Sequence, residues 1–429
     1  MNQASGSSIP GPHDIVRHVL DNGIVVLVRE NHQSPTVVVD GLLTASALHD
    51  SDETAGLAAL TASGLMRGAG ARTSAEIYEA IESVGADLAF SAHRHSTGFG
   101  GDCLVEDMDL LLEIMRDALL EPTFPEDQVD ILRGQAITAL NIQEHDTGYL
   151  AMRALRKLVY PSGHPYGRPV RGVADTVKGL SRDHLVDFHR KNYNPEGAVI
   201  SVVGDVDTNT VISKLDGLFG SWKSEPGAIG EVQVDLPEVS TKKVEKALVV
   251  PGKTQTDVAL GYVGPSRKAT DFLAARLANT VLGVFGLMGR LGANVRDKQG
   301  LAYYAYSQVA GGRGPGPWYV RAGVNPNNVP RAIESILYEI ERMEQDFVPD
   351  EELEENKNYL IGSRPLALET NSGVAGVMLY MEVEDLGLDY MLRYPDLIRD
   401  ISKLEVQNAA RRYLDSAKYA LATAGPSLE

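Results

Sequence analysis

"LSRDHLVDFHRKNYNPEGAVISVVGDV" (residues 180–206) reads as a helix ending near a tyrosine, followed by a strand. "ISKLEVQNAARRYLDSAKYALATAGPS" (401–427) has the same layout. Each is preceded by an acid-started helix: "FPEDQVDILRGQAITAL" begins at Phe124 and "FVPDEELEENKNYLIGS" at Phe347. The offsets are 180 − 124 = 56 residues and 401 − 347 = 54 residues. Two matched segments in one order and at nearly one spacing mark a duplication, so the chain divides into homologous halves. The first spans 14–222 and the second 243–429. Between them "KSEPGAIGEVQVDLPEVSTK" (223–242) has the Pro, Gly and Ser content of a linker. Residues 1–13 are expected to be a disordered tail.

Within the first half, "DIVRHVL" and "IVVLVREN" are strand-like runs joined by Asp21-Asn22-Gly23, a strong hairpin signal. A third strand, "TVVVDGLLT", follows. Next come the helix "AGLAALTASGLMRGAG" (55–70), the helix "SAEIYEAIESVG", strand material in "ADLAFSAHRHSTGFGGDCL", and the helix "EDMDLLLEIMRDALLEP". The order βββ–α–α–ββ–α predicts an α+β layer sandwich in each half. In the helix at 55–70, Ser51 or Asp52 is the expected N-cap, and Gly68 with Gly70 the stop.

A chain of 429 residues with 43% hydrophobic and 23% charged side chains has the composition of a globular protein of more than one domain. Its formal net charge of −18 argues against nucleic acid as partner, because phosphate binding is driven by Lys and Arg. Cys103 is the only cysteine, which excludes an intrachain disulfide and a thiolate metal cluster. No apolar run approaches the ~20 residues of a membrane span, and the N-terminus lacks a secretion signal. A cytoplasmic location is expected, or a periplasmic one if a leader was trimmed.

The tandem α+β halves, "LDNGIVVLVREN", "HPYGRPVRG" and "VRDKQGLAYYAYS" together resemble the pitrilysin and mitochondrial-processing-peptidase family over essentially all of the chain after residue 13. That family comprises the H-x-x-E-H zinc peptidases. The resemblance implies two α/β-sandwich halves of the processing-peptidase type. In catalytic members the helix after the third strand presents two His at i and i+4 to zinc, with the intervening Glu activating water. Here the His positions fall on Ala59 and Ser63 and the Glu on Ala62. The third ligand is a Glu on a later helix, and the matching helix "GQAITALNIQ" (134–143) offers only Ala139 or Leu140. No metal is therefore expected in this chain, and no peptidase activity from it alone.

A second family element is kept. "NVRDKQGLAYYAYSQV" resembles R-x(6)-Y, with Arg296 ending a helix near Gly300 and Tyr303 opening a strand. The resemblance implies that Arg296 holds substrate backbone and that the Tyr303 hydroxyl stabilises the oxyanion. In the two-subunit branch one subunit supplies the zinc and its partner the Arg/Tyr pair. The chain thus reads as a non-catalytic subunit that works with a homologous zinc-bearing partner on an unfolded peptide, which adds as a strand to a sheet edge. The alternative is a homodimeric scaffold or peptide-binding protein of the same fold.

Other clusters have plainer readings. His93 and His95 in "SAHRHST" are expected on one face of a strand, where a metal would need a third ligand that the sequence does not show. His184, Asp187 and His189 read as solvated or capping groups of a helix. "GGRGPGPWY" (311–319) lacks the Lys-Ser/Thr of a phosphate loop and reads as a hairpin tip. His164 sits in the loop "HPYGRPVRG", and "DEELEEN" (350–356) reads as a helix start.

Overall fold

The computed structural model describes residues 9–224, 232, 234–237, 242–284 and 289–427. Residues 1–8 of the expected tail and most of the expected linker lie outside them. In the first half, β1 (Val16–Val19) and β2 (Val25–Glu30) form the predicted hairpin, with Gly23 at φ +90° in the turn. In β3 (Thr36–Leu43), Val37, Val39 and Leu43 reach the core, while Asp40 and Leu42 project to the other face. Helix α1 (Leu57–Gly64) follows, then a small ribbon of β4 (Gly68–Ala69) and β5 (Arg72–Thr73). Next is α2 (Ser74–Ser83), opened by a Thr73/Glu76 capping box.

Strands β6 (Asp87–Ala92) and β7 (Thr97–Leu104) form a second hairpin, followed by α3 (Met108–Leu120). The half closes with α4 (Glu126–Gln143), α5 (Thr147–Val159), α6 (Ala174–Lys178), α7 (Arg182–Asn192), β8 (Val199–Gly204) and α8 (Thr208–Phe219).

Among the described residues the second half repeats the scheme without a counterpart of β1. It runs through β9 (Val244–Val249), β10 (Thr256–Val263), α9 (Phe272–Leu282), β11 (Ala302–Val309), β12 (Pro317–Val324) and α10 (Val329–Gln345). It ends with α11 (Asp350–Gly362), α12 (Asn371–Val383), α13 (Tyr390–Arg399), α14 (Lys403–Tyr413) and β13 (Ala420–Gly425). The acid-started helices are α4 and α11, and the tyrosine-ended pairs are α7–β8 and α14–β13.

The sheets carry the duplication in their strand order. One runs β1-β2-β8-β3-β7-β6 and the other β9-β13-β10-β12-β11, so the second matches the first strand for strand once β1 is removed. Each has one parallel pair, β2 with β8 and β9 with β13, and is otherwise antiparallel.

The compact units do not follow the contiguous boundaries read from the sequence. One unit gathers residues 1–138, 169–233 and 363–394; the other gathers 139–168, 234–362 and 395–429. Helix α12, from the second half, therefore packs on β3 and β8 of the first sheet, and α5, from the first half, packs on β10 and β13 of the second. Met378 of α12 is fully buried against Ser201 of β8, and Leu155 of α5 lies over Gly261 of β10. Each half lends one helix to the other's sheet, from the same place in the repeat.

Two local readings need correction. Strand β6 ends at Ala92, and His93 to Ser96 form the turn into β7, with the His93 N–H donating to the Ser96 carbonyl at 2.7 Å. His93 and His95 do not share a strand face. His184 is a cap, its Nδ1 accepting the Ser181 N–H at 3.1 Å. His189 is not solvated: it stacks on Tyr193, Nε2 lies 2.9 Å from the Leu119 carbonyl, and burial pulls it down to about 4. Residues 310–316 do connect β11 to β12 as a hairpin, and Asp350 does begin a helix.

Candidate functional site

In the first unit the helix where the resemblance locates zinc is well formed. Asp50, rather than Ser51 or Asp52, caps α1: its two carboxylate oxygens accept the N–H groups of Gly56 at 2.9 Å and Ala58 at 3.0 Å. Gly56 is left-handed at φ +100°, and a Cβ there would sit 2.7 Å from the Arg171 carbonyl oxygen. Sequence alone favoured nearer residues because the chain bends back at this glycine. The helix then buries Leu57, Ala58, Leu60, Thr61 and Ala62, and Gly68 at φ +147° stops the turn after it.

On this helix Ala62 is fully buried, Ala59 is half-buried, and the exposed Ser63 hydroxyl donates back to the Ala59 carbonyl at 3.0 Å. On α4, Ala139 is exposed and Leu140 is buried. Zinc is held by imidazole, thiolate or carboxylate donors. Two or three hydrocarbon side chains and one engaged hydroxyl do not fit that ion. Among the described residues no group of three or more His, Cys, Asp or Glu side chains is placed to hold a metal.

The first sheet also offers an open edge. Strand β6 is its last strand, and beside it Asp40, Asp102, Ser91 and His93 line a cavity of about 370 Å³. Gly98 and Gly100 lie in its floor. Burial, reinforced by Asp102, pushes the Asp40 carboxyl up to about 6.

In the second unit the structure brings Arg296 and Tyr303 together. Arg296 lies in a π-helix, Gly292–Lys298, which the apolar spacing did not announce. Its wide turn is held by the Gln299 N–H to the Asn294 carbonyl at 3.2 Å, and Val295 anchors it in the core. In β11 the register shifts between Ala302 and Tyr304, so Tyr303 is the extra residue of a β-bulge. The Arg296 Nε–H donates to the Tyr303 carbonyl at 3.1 Å, and Nη1 donates to Asp297 at 3.0 Å. The guanidinium thus satisfies a carbonyl that the bulge removes from the strand ladder. The Tyr303 side chain stands 82% exposed.

Its neighbour behaves differently. Tyr304 turns to the sheet face and donates to Asp257, which is 4% exposed and also accepts from the Thr147 hydroxyl at 2.6 Å. Burial, then Asp257, hold the Tyr304 hydroxyl well above the usual phenol range. The bulge, by setting Tyr303 apart from Tyr304 and Tyr306, decides which tyrosine is presented.

Both halves match known sequence families. Residues 25–170 match "Insulinase (Peptidase family M16)" and residues 179–360 match "Peptidase M16 inactive domain". The chain is similar to an uncharacterized zinc protease of Streptomyces coelicolor, at 29% identity over 79% of this chain and 76% of that protein. It is similar to the uncharacterized zinc protease YmxG of Bacillus subtilis, at 24% over 96% and 98%. It also resembles a probable mitochondrial-processing peptidase subunit beta of Arabidopsis thaliana, at 23% over 95% and 77%. Among solved structures, a peptidase M16 inactive domain from Pseudomonas fluorescens matches with a TM-score of 0.89 at 22% identity, covering 97% of this chain and 98% of that one. That likeness shows the fold.

Proposed function

Because this chain belongs to the M16 peptidase family, in both its halves, we propose that it is the non-catalytic subunit of a two-subunit zinc peptidase. A homologous partner carrying H-x-x-E-H would hold the metal, the attacking water and the general base. This chain would supply Arg296 to the substrate backbone and the Tyr303 hydroxyl to the oxyanion. The single observation that carries the reading is the contrast within one molecule. The helix where the resemblance locates zinc is well formed but carries none of the donors, while Arg296, on its π-helix, holds the carbonyl of a bulge whose Tyr303 side chain is exposed.

The open edge of β6 supports a peptide substrate, because an extended chain can add there through backbone hydrogen bonds with little demand on sequence. The test is reconstitution. Purified alone, the protein should carry no stoichiometric zinc and cleave no quenched-fluorescent peptide; mixed with an H-x-x-E-H homologue, it should create activity. Hydrolysis by the isolated chain, or a mixed activity indifferent to Arg296→Ala and Tyr303→Phe, would refute the assignment.

A further inference from the structure

Two amide side chains bound the turn that carries Arg296. In "NVRDKQ" the first residue is Asn294 and the last Gln299, and the two close the π-turn on each other twice. The Gln299 N–H donates to the Asn294 carbonyl at 3.2 Å, and Gln299 Nε2 donates to Asn294 Oδ1 at 2.8 Å. Gln299 Nε2 also donates to the Ser335 hydroxyl at 2.9 Å, and Gln299 Oε1 accepts from Arg331 Nε at 3.0 Å. Ser335 and Arg331 both lie on α10, so the turn is tied to that helix by side chains.

The network ends on a buried acid. Glu339 of α10 is 2% exposed, and both of its oxygens are engaged: Oε1 accepts from Asn294 Nδ2 at 2.6 Å and Oε2 from Arg342 Nη1 at 2.9 Å. A carboxylate taken out of water holds its donors firmly, since losing one leaves charge unsolvated. The bond to Asn294 thus fixes the π-helix against α10, beside a cavity of about 1210 Å³ that polar side chains of both elements line. The regular alternative for this segment is α-helix, and a π-turn is the rarer geometry. Exchanging one for the other moves the following residues by about 100° around the axis. Arg296 lies inside this turn, so its reach of 3.1 Å to the Tyr303 carbonyl depends on the turn being kept.

We propose that Glu339, acting through Asn294 and Gln299, is a positioning residue for Arg296. This rests on the function proposed above and adds to it the part of the fold that aims the guanidinium at substrate backbone. Glu339 is buried and meets no substrate itself. Its influence falls on substrate binding and is read as KM, whereas the Tyr303 hydroxyl acts on kcat.

Two measurements test this. In the full chain alone, hydrogen–deuterium exchange follows the amides of Gln299, Gly300 and Leu301, which donate to carbonyls of the turn. Glu339→Leu should speed their exchange about tenfold, as expected for one lost hydrogen bond to a charged group, and leave β10 unchanged. Glu339→Gln, which keeps an oxygen for Asn294, should restore slow exchange. With an H-x-x-E-H homologue present, Glu339→Leu should raise KM about tenfold and change kcat by less than about twofold, and Glu339→Gln should recover most of the loss. In an Arg296→Ala background Glu339→Leu should add nothing, because the side chain it positions is gone. Should Glu339→Leu fold poorly, Gln299→Met opens the same turn while Glu339 stays paired with Asn294. Unchanged exchange, faster exchange with an unchanged KM, a loss that Glu339→Gln does not recover, or a KM effect that persists in full without Arg296 would overturn the proposal. If reconstituted hydrolysis is indifferent to Arg296→Ala, the functional assignment fails, and exchange in the unaccompanied chain still decides for or against Glu339.

Discussion

Tyr303 and Asp40 show how much a single side chain can carry. Tyr303→Phe removes one hydroxyl from a side chain that is mostly in solvent, so the fold should be unaffected. If that hydroxyl meets the oxyanion, kcat of the reconstituted pair should fall about 10²–10³-fold with KM little changed, measured by steady-state kinetics. Arg296→Ala is a blunter probe, because it also strips the Tyr303 carbonyl of its donor. Asp40 makes a prediction about pH. Its carboxyl is raised from the ordinary value to about 6, so folding penalises its charged form. The contribution of Asp40 to stability is therefore most favourable below about pH 4, falls as pH rises toward 6, and is flat above. Asp40→Asn should stabilise the protein at pH 7–8 by about 1–2 kcal/mol after allowance for partial exposure, and do nothing near pH 4. Urea titrations at the two pH values decide this. A uniform effect would mean that Asp40 acts through packing instead.

At the scale of the element, α1 is a well-packed helix with Ala59, Ala62 and Ser63 where the family resemblance expects zinc-site residues. Its start depends on Asp50, a buried carboxylate that reaches six and eight residues ahead to two backbone N–H groups. Asp50→Ala leaves those donors buried and unpaired, and should cost about 1–3 kcal/mol in chemical denaturation. The identity of Ala59, Ala62 and Ser63 was legible in the sequence, and a methyl group cannot ligate wherever it lies. The cap was not legible, since it depends on a left-handed glycine that folds the chain back on itself. Likewise "NVRDKQGLAYY" gives the spacing of Arg296 and Tyr303, but neither the π-turn nor the bulge. Both are departures from regular hydrogen bonding that apolar periodicity does not encode. The single-face reading of His93 and His95 failed for a related reason: alternation looks the same in a strand and in the turn that ends it.

For the whole molecule, the exchanged helices mean that neither contiguous half is a complete folding unit. A fragment of residues 14–222 lacks α12, which exposes the β3–β8 face around Val38 and Ser201, and its own α5 loses the sheet that buries Leu150, Ala154 and Leu155. Such a fragment should bind an apolar dye and unfold without a sharp transition, and co-expression with 243–429 should restore cooperativity. A fragment that unfolds cooperatively by itself would contradict this account. The duplication, the α+β order of each half and the missing metal donors follow from residue identity and local spacing, which are properties of the chain before it folds. Which sheet receives α5 and α12 does not follow from them, because an apolar helix face is equally satisfied by either of two homologous sheets. That choice was made by contacts between residues more than a hundred positions apart, such as Leu155 on Gly261 and Met378 on Ser201, while the bulge that sets Tyr303 apart was set by departures from regular hydrogen bonding around Arg296 and Asp257.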